Sequence, residues 1–253
     1  MRHKIYIVGM GPGEEEMMTG EALRVLEESD VIVGYTVYLN LLGERFQGKK
    51  FLSTPMKQET ERCQLAFAEA KKGKQVAMIC SGDAGIYGMA SLMFEVGKAN
   101  PEIELEVVPG VTAALSGAAV LGAPLNHDFC VISLSDLLTP WEKIEKRLAA
   151  AAQGDFAIAI YNPSSRKRHD YLRKACDILL LYLKEDQPCG WVENIGREGT
   201  RKWTGTLKEL REQEVNMFTT VFIGNAGSEI VQGKLITKRG YQIERTTDIC
   251  RDK

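Results

Sequence analysis

The sequence predicts an α/β fold made of two α/β domains, and three observations predict it. An apolar run of strand length, residues 4–8, breaks into Gly9-Met-Gly-Pro-Gly13 and then into a helical pattern carried by Ala22, Leu23 and Leu26. Up to residue 121, strand-like and helix-like stretches alternate and most strand ends carry glycine, the pattern of a parallel sheet with its loops gathered on one edge. The polar, broken stretch Gly122-Ala-Pro124-Leu-Asn126-His127-Asp128 interrupts that pattern, which restarts at Phe129. The expected domains are 1–124 and 125–242, followed by a charged tail over 243–253, with a ligand cleft between the domains.

Each element has its own signal. Glu14-Glu15-Glu16 are expected to open the first helix, because carboxylates suit a helix start. Val31-Ile-Val33 reads as the second strand. Residues 59–72 read as an amphipathic helix with Leu65, Phe67, Ala68 and Ala70 among its apolar positions, closed by Gly73. Residues 75–80 form a buried strand that ends in Ser81-Gly82-Asp83-Ala84-Gly85, and a helix over 87–98 follows, stopped by Asn100-Pro101. A strand over 104–108 ends at Pro109-Gly110, and Thr112 caps a helix running to Leu121. In the second half, strands are expected over 129–134, 155–161, 189–193 and 219–223, with 201–203 as a further candidate. Helices are expected over 140–152, with Thr139 as cap and Pro140 first, over 164–184 and over 207–212. Beyond Gly224-Asn225 the chain reads as irregular.

Composition narrows the partners. The 253 residues are 44% hydrophobic and 26% charged, so core material is ample. A net charge of -2 provides no bulk field for nucleic acid, and an anionic ligand must be met by a local patch. Six cysteines form no CxxC pair and several lie in apolar runs, which fits free buried thiols and no metal. No apolar run reaches membrane-spanning length, and Met1-Arg-His-Lys4 leads into no signal segment, so a cytoplasmic protein with no membrane partner is expected.

The first loop does not suit a dinucleotide. Glu14 stands where the third glycine of that fingerprint belongs, and Gly34-Tyr35-Thr36 offers no acidic residue after the second strand. Three carboxylates there would repel a pyrophosphate, so a neutral or cationic ligand fits better. Gly82-Asp83-Ala84 reads either as a helix cap or as a carboxylate that holds hydroxyls or a cation. Asn126-His127-Asp128 reads either as a hydrogen-bonded linker or as a general acid or base, although neighbours in an extended chain point to opposite sides. His3 and His169 read as structural and solvated, respectively. Tyr161-Asn-Pro-Ser-Ser-Arg166-Lys167-Arg168, with Arg197, Arg201 and Lys202, is either a solvated helix start or an anion site of arginine forks, and positive charge opposing the helix dipole favours an anionic partner. Glu193-Asn-Ile-Gly196-Arg197-Glu198-Gly199-Thr200 combines a strand end with glycines or is a plain hairpin turn. The chain has no GxSxG, HExxH, Walker A or zinc set, which lowers the weight of hydrolase and metalloenzyme classes.

Taken together, Gly9-Met-Gly-Pro-Gly13, Ser81-Gly82-Asp83-Ala-Gly-Ile-Tyr-Gly88 and Pro109-Gly-Val-Thr112-Ala113, in this order, resemble the S-adenosylmethionine-dependent tetrapyrrole methylases. Val33-Gly34-Tyr35-Thr-Val-Tyr38, Leu134-Ser-Asp136-Leu-Leu-Thr-Pro-Trp141 and Tyr161-Asn-Pro-Ser-Ser-Arg166 are similar to the precorrin-3B / cobalt-factor III C17-methyltransferase branch. Ala84 departs from the proline that many relatives carry after Gly-Asp. The resemblance covers the chain to about residue 240. It implies a homodimer, an interdomain cofactor cleft, and methylation at C17 of a corrin precursor with ring contraction. The cofactor it implies is S-adenosyl-L-methionine, which leaves as S-adenosyl-L-homocysteine. Implied cofactor contacts are Pro12, Gly82, Asp83, Ala84, Ile86, Thr112, Ala113, Asn162, Asn194, Gly196, Gly224 and Asn225. Arg166, Arg168, Arg197 and Arg201 are expected to meet the carboxylates of a tetrapyrrole substrate, and His127 with Asp128 to move protons. The rival readings are a methylase of another corrinoid position, a non-catalytic tetrapyrrole carrier and, more distantly, a dinucleotide oxidoreductase. The residues do not choose between cobalt-containing and metal-free substrate.

Overall fold

The computed structural model describes residues 3–165 and 167–241, so Arg166 and the tail expected over 243–253 lie outside the described residues. The chain divides into two compact units, Met1–Gly117 with Glu193–Arg201, and Ala118–Val192 with Lys202–Lys253. The division falls a few residues before the joint expected at 122–128, and a loop from late in the chain groups with the first unit.

The first unit contains β1 (His3–Gly9), α1 (Gly20–Glu28), β2 (Val31–Tyr35), α2 (Thr36–Leu39), β3 (Lys50–Thr54), α3 (Glu59–Lys71), β4 (Val76–Cys80), α4 (Ala90–Gly97) and β5 (Ile103–Val108), and α5 (Ala113–Leu121) begins in it. The sheet order is β3-β2-β4-β1-β5, and every pair is parallel, with Ile5 opposite Val76 on one side and Leu105 on the other. Alternate side chains feed two cores because the strand period is two. Ile5, Ile7, Val76 and Met78 pack with α3 and α4 on one face, while Val8, Ala77 and Ile79 pack with α1 on the other. Each fully buried aliphatic side chain contributes about 1.5–3 kcal/mol, so strand ends carried on this sheet are held firmly.

Several boundaries differ from expectation for local reasons. Residues Glu15–Met17 form a 3-10 turn, and α1 starts only after Thr19, whose hydroxyl accepts from the Ala22 N–H at 3.1 Å. The Glu14–Glu16 carboxylates therefore precede the helix. In α3 the buried residues include Arg62, Cys63, Ala66 and Phe67, whereas Leu65 and Ala68 face outward. The α4 helix begins at Ala90 and not at 87, because Tyr87 takes a left-handed φ of 55° and Gly88 lies against the Ala84 backbone. β3 had no counterpart in the sequence reading.

The second unit contains β6 (Gly122–Ala123), β7 (Phe129–Ser133), α6 (Trp141–Gln153), β8 (Ala157–Tyr161), α7 (Tyr171–Leu179), β9 (Pro188–Glu193), β10 (Arg201–Thr206), α8 (Leu207–Leu210), β11 (Thr219–Ile223), β12 (Ser228–Val231) and β13 (Lys234–Thr237). Its main sheet runs β10-β9-β11-β8-β7, with β7 parallel and β11 antiparallel to β8. Ile144 and Leu148 of α6, Leu172, Cys176 and Leu179 of α7, and Ile158, Ile160, Val221 and Ile223 of the sheet share one core. Pro140 is the cap of α6 and not its first residue. The helix expected over 164–184 is only Tyr171–Leu179, so the basic run at 166–168 precedes it and the dipole argument for an anion lapses. The stretch taken as irregular holds the hairpin β12–β13, which with β6 makes a small sheet.

Candidate functional site

The sequence places glycines at the ends of β1, β4 and β5, and the structure shows why each is glycine. A Cβ on Gly9 would lie 2.6 Å from the Gly110 nitrogen and 2.8 Å from the Gly82 carbonyl oxygen. These glycines serve backbone-to-backbone approach, because the space a ligand would need beside Gly9 is filled by the other loops. Gly11 and Gly82 both have left-handed φ, at 75° and 68°, and exchange two hydrogen bonds: Gly11 N–H to Gly82 O at 3.1 Å and Gly82 N–H to Gly11 O at 2.7 Å.

Asp83 completes the cluster. Its Oδ1 accepts the Gly85 N–H at 2.7 Å and its Oδ2 accepts the Gly110 N–H at 3.0 Å. One carboxylate thus shapes its own loop and fixes the loop after β5. Because α4 starts at Ala90, Asp83 caps no helix, and of the two sequence alternatives the cap is excluded. Around it lie Ala84, fully buried, Ile86, 41% exposed, and Thr112 and Ala113 at the start of α5. The segment 193–201 closes the other side of the cluster. The Glu14 N–H donates to Gly196 O at 2.8 Å, Asn194 and Gly196 are both left-handed, and Arg197 donates from Nε to Pro12 O at 3.1 Å and from Nη2 to Ser81 Oγ at 3.3 Å. Burial lowers the pKa of the Arg197 guanidinium. Nine of the expected cofactor residues, Pro12, Gly82, Asp83, Ala84, Ile86, Thr112, Ala113, Asn194 and Gly196, are therefore gathered in the first unit.

Beside this cluster is a group that the sequence reading missed as a site. Arg62 on α3 is only 4% exposed and donates from Nη2 to the carbonyls of Thr54 at 3.3 Å and Pro55 at 3.1 Å, and from Nη1 to Met89 Sδ at 3.9 Å. Its Nε has no hydrogen-bond partner, and among the described residues no carboxylate pairs with it. The guanidinium lies 5.8 Å from the centre of the Tyr35 ring, and Tyr35 meets Tyr38 edge-on at 5.4 Å.

The second unit holds the remaining candidates. Asn162, left-handed at 52°, donates to Ser133 Oγ at 2.9 Å. Gly224 N–H donates to Pro188 O at 2.8 Å, and Asn225 Oδ1 accepts the Gly227 N–H at 2.9 Å. His127, Asp128 and Asn225 share a polar recess of about 230 Å³ with Asp155, Phe156 and Lys238. The His127 Nδ1 accepts the Asp128 backbone N–H at 2.9 Å, which leaves Nε2 to carry the proton of the neutral ring. The Asp128 side chain is 84% exposed and its Oδ2 is 3.8 Å from Nδ1. Arg168 pairs through Nε with Asp136 at 2.7 Å, and Asp136 also accepts from the Tyr171 hydroxyl at 2.6 Å. In the first unit, Arg201 pairs with Glu193 at 2.5 Å. Arg166 lies outside the described residues. The structure thus separates the expected arginines: Arg197 belongs to the strand-end cluster, Arg201 to an ion pair with Glu193, and Arg168 to a network with Asp136.

Residues 4–211 match the family model of the tetrapyrrole (corrin/porphyrin) methylases. The chain is 45% identical to a probable cobalt-factor III C(17)-methyltransferase of Salmonella typhimurium, over 94% of this chain and 99% of that one. It is 37% identical to a precorrin-3B C(17)-methyltransferase of Sinorhizobium sp, over 92% of each. Among solved structures, the methyltransferase CobJ is similar at 36% identity and a TM-score of 0.85, covering 92% of this chain and 99% of that chain. A uroporphyrin-III C-methyl transferase from Thermus thermophilus, complexed with S-adenyl homocysteine, shares the fold at 22% identity and a TM-score of 0.68, over 87% of this chain and 92% of that one.

Proposed function

Because the chain belongs to the tetrapyrrole (corrin/porphyrin) methylase family, we propose that it transfers a methyl group from S-adenosyl-L-methionine to C17 of cobalt-factor III or precorrin-3B, with contraction of the macrocycle, in cobalamin biosynthesis. The observation that carries this reading is the strand-end cluster closed by Asp83.

The cluster fits the cofactor chemically. A sulfonium donor carries no phosphate, and the loops present backbone, the small apolar Ala113 and the exposed Ile86, over the buried Ala84. The Asp83 carboxylate supplies negative charge beside them, and its two N–H donors hold it in place in advance. S-adenosyl-L-methionine, when bound, supplies an electrophilic methyl group for in-line displacement. The chain's part is orientation: loops tied together across three strand ends cannot drift, and positioning is worth up to ~7–11 kcal/mol in well-oriented systems. Asn162, Gly224 and Asn225 are proposed as further cofactor contacts from the second unit.

A corrin precursor carries acetate and propionate groups, which suit arginine forks. Arg197 and Arg201 are proposed to meet them, with Arg166 and with Arg168 through donors that Asp136 leaves over. His127 and Asp128 are proposed to move protons during contraction, through the Nε2 that the Nδ1 hydrogen bond leaves over. Among the described residues no helix is long and apolar enough to cross a membrane, and a cytoplasmic homodimer is proposed with the activity.

The experiment is one incubation of the protein with methyl-labelled S-adenosyl-L-methionine and cobalt-factor III or precorrin-3B, read by mass spectrometry and NMR. One labelled methyl at C17 is expected. A methyl elsewhere would make the chain a methylase of another corrinoid position. An unlabelled macrocycle with both ligands bound would make it a carrier.

A further inference from the structure

Leu137 and Leu138 are held out into solvent by a loop that is otherwise tied down. Leu138 is 97% exposed, the most exposed large apolar side chain among the described residues, and Leu137 is 64% exposed. Single exposed leucines are ordinary on a protein surface. Here two adjacent ones stand on a loop anchored on both sides. Leu134 is fully buried, and its N–H donates to Tyr161 O at 2.9 Å, which continues the pairing of β7 with β8. The Ser135 N–H donates to Ser133 Oγ at 3.2 Å. Asp136 accepts from Arg168 Nε at 2.7 Å and from the Tyr171 hydroxyl at 2.6 Å. Beyond the leucines, Pro140 caps α6, and Trp141 packs on Tyr171 with ring centres 4.5 Å apart. The leucines are therefore presented in a set geometry, and covering them with a ligand loses little conformational freedom.

The loop stands at the carboxyl ends of β7 and β8, which run parallel with Ser133 opposite Tyr161. That edge is where an open α/β sheet receives ligands. Asn162, a proposed cofactor contact, lies on the same edge and donates to Ser133 Oγ. Arg168 Nη1 reaches Ser135 Oγ at 3.4 Å and so fastens a tight turn to the loop. The turn is closed by Ser165 N–H to Arg168 O at 3.4 Å and Arg168 N–H to Ser165 O at 2.9 Å. Lys167 in that turn is exposed and pairs with no described carboxylate. An apolar pair and a cation are thus set side by side.

We propose that Leu137 and Leu138 carry one face of the tetrapyrrole macrocycle, with Lys167 placed to meet a carboxylate on its rim. The macrocycle complements both features, because it has a broad apolar face and a margin of acetate and propionate groups. Two leucines are too small an area to hold a second copy of the chain, since a stable interface covers about 800 Å² on each partner. The assignment rests on the tetrapyrrole substrate of the proposed function and names residues that hold it in the second unit.

The test is absorbance titration of cobalt-factor III into wild type and variants, beside S-adenosyl-L-homocysteine affinity by calorimetry and mass by sedimentation. Leu138→Ser should weaken macrocycle affinity about tenfold, which is ~1.4 kcal/mol and less than the full burial of one leucine. The Leu137→Ser, Leu138→Ser double variant should weaken it further. In turnover the macrocycle KM should rise by the same factor, with kcat within about twofold of the wild type. S-adenosyl-L-homocysteine affinity and the urea midpoint should not move. Leu138→Met should recover most of the loss, and Leu181→Ser, at a 75% exposed leucine beyond the far end of α7, should have no effect. Unchanged macrocycle affinity in the double variant overturns the assignment. A loss of S-adenosyl-L-homocysteine affinity overturns it in favour of a cofactor contact. A change in sedimentation with macrocycle affinity intact overturns it in favour of a contact between copies. The affinity measurement needs no turnover, so wild type that binds cobalt-factor III without methylating C17 fails the C17 reading while the affinity ratio still decides the role of the leucines. Wild type that binds no macrocycle overturns both.

Discussion

The strand-end cluster of the first unit and the His127 recess of the second are built on opposite principles. In the cluster, backbone packs on backbone, Asp83 spends its oxygens on two N–H groups, and Arg62 and Tyr38 are drawn into the protein. In the recess, His127 is hydrogen-bonded to its own neighbour and Asp128 is 84% exposed. Charges in the first region are fixed before a ligand arrives, whereas those in the second are screened by water. The difference teaches where to look for chemistry: perturbed, immobilised groups mark the cluster, and accessibility marks the recess.

The comparison breaks most sharply at Gly9. Gly9→Ala sets a methyl 2.6 Å from the Gly110 nitrogen and should cost about 3 kcal/mol or prevent folding, read from urea unfolding. Gly20 has no atom within 4 Å of an added Cβ, so Gly20→Ala should be neutral or stabilise by up to ~1 kcal/mol. Equal effects at the two positions would refute the packing account of the glycines.

Asp83→Ala comes next. It strands two N–H groups and should cost about 2 kcal/mol in the same urea experiment. Asp128→Ala, at an exposed carboxylate, should change stability by less than ~0.5 kcal/mol.

The thiols give a pH test that both units should share. Burial pushes Cys63 up to about 11 and Cys80 to about 12 in the first unit, and Cys130 to about 11 and Cys176 to about 12 in the second. In the unfolded chain a thiol ionises near ~8.5, so the folded state binds more protons above that pH. The stability these thiols contribute is fully present below pH ~8.5 and is lost as pH rises toward the folded values. Urea midpoints at pH 7, 8.5 and 9.5 should fall in that order, and thiol labelling of the native protein should be slow at neutral pH. The smallest expected change is at His127. His127→Ala should leave the unfolding free energy from urea within ~0.5 kcal/mol of the wild type, and contraction that continues at full rate would remove the proposed proton role.

Much of the first unit was legible because its signals are local. Val76–Cys80 is an unbroken apolar run, buried at every position, and its glycine ending marks the loop. The cap Thr19 is not marked in the sequence, since the three glutamates upstream carry the dipole argument for a helix start. The edge strand β3 exposes most of its residues and lacks the apolar alternation of a half-buried strand. The β12–β13 hairpin turns on Gln232-Gly233, both left-handed at 51° and 72°, and glutamine is an unusual first residue for such a turn. Of the site, Asp83 and the glycines could be read, but their partners could not. Arg62 was hidden because a charged residue on a helix is assigned to the solvent side, and nothing local marks its acceptors, Thr54 at the end of β3, Pro55 just after it and Met89 just before α4. Arg168 read as free positive charge, whereas Asp136, 32 residues earlier, holds it.

The most direct test of the central claim is calorimetric titration of S-adenosyl-L-homocysteine into the wild type, Asp83→Ala and His127→Ala. The strand-end account predicts binding to the wild type and to His127→Ala alike, with Asp83→Ala weakened by at least about tenfold. Equal affinity for wild type and Asp83→Ala would contradict it.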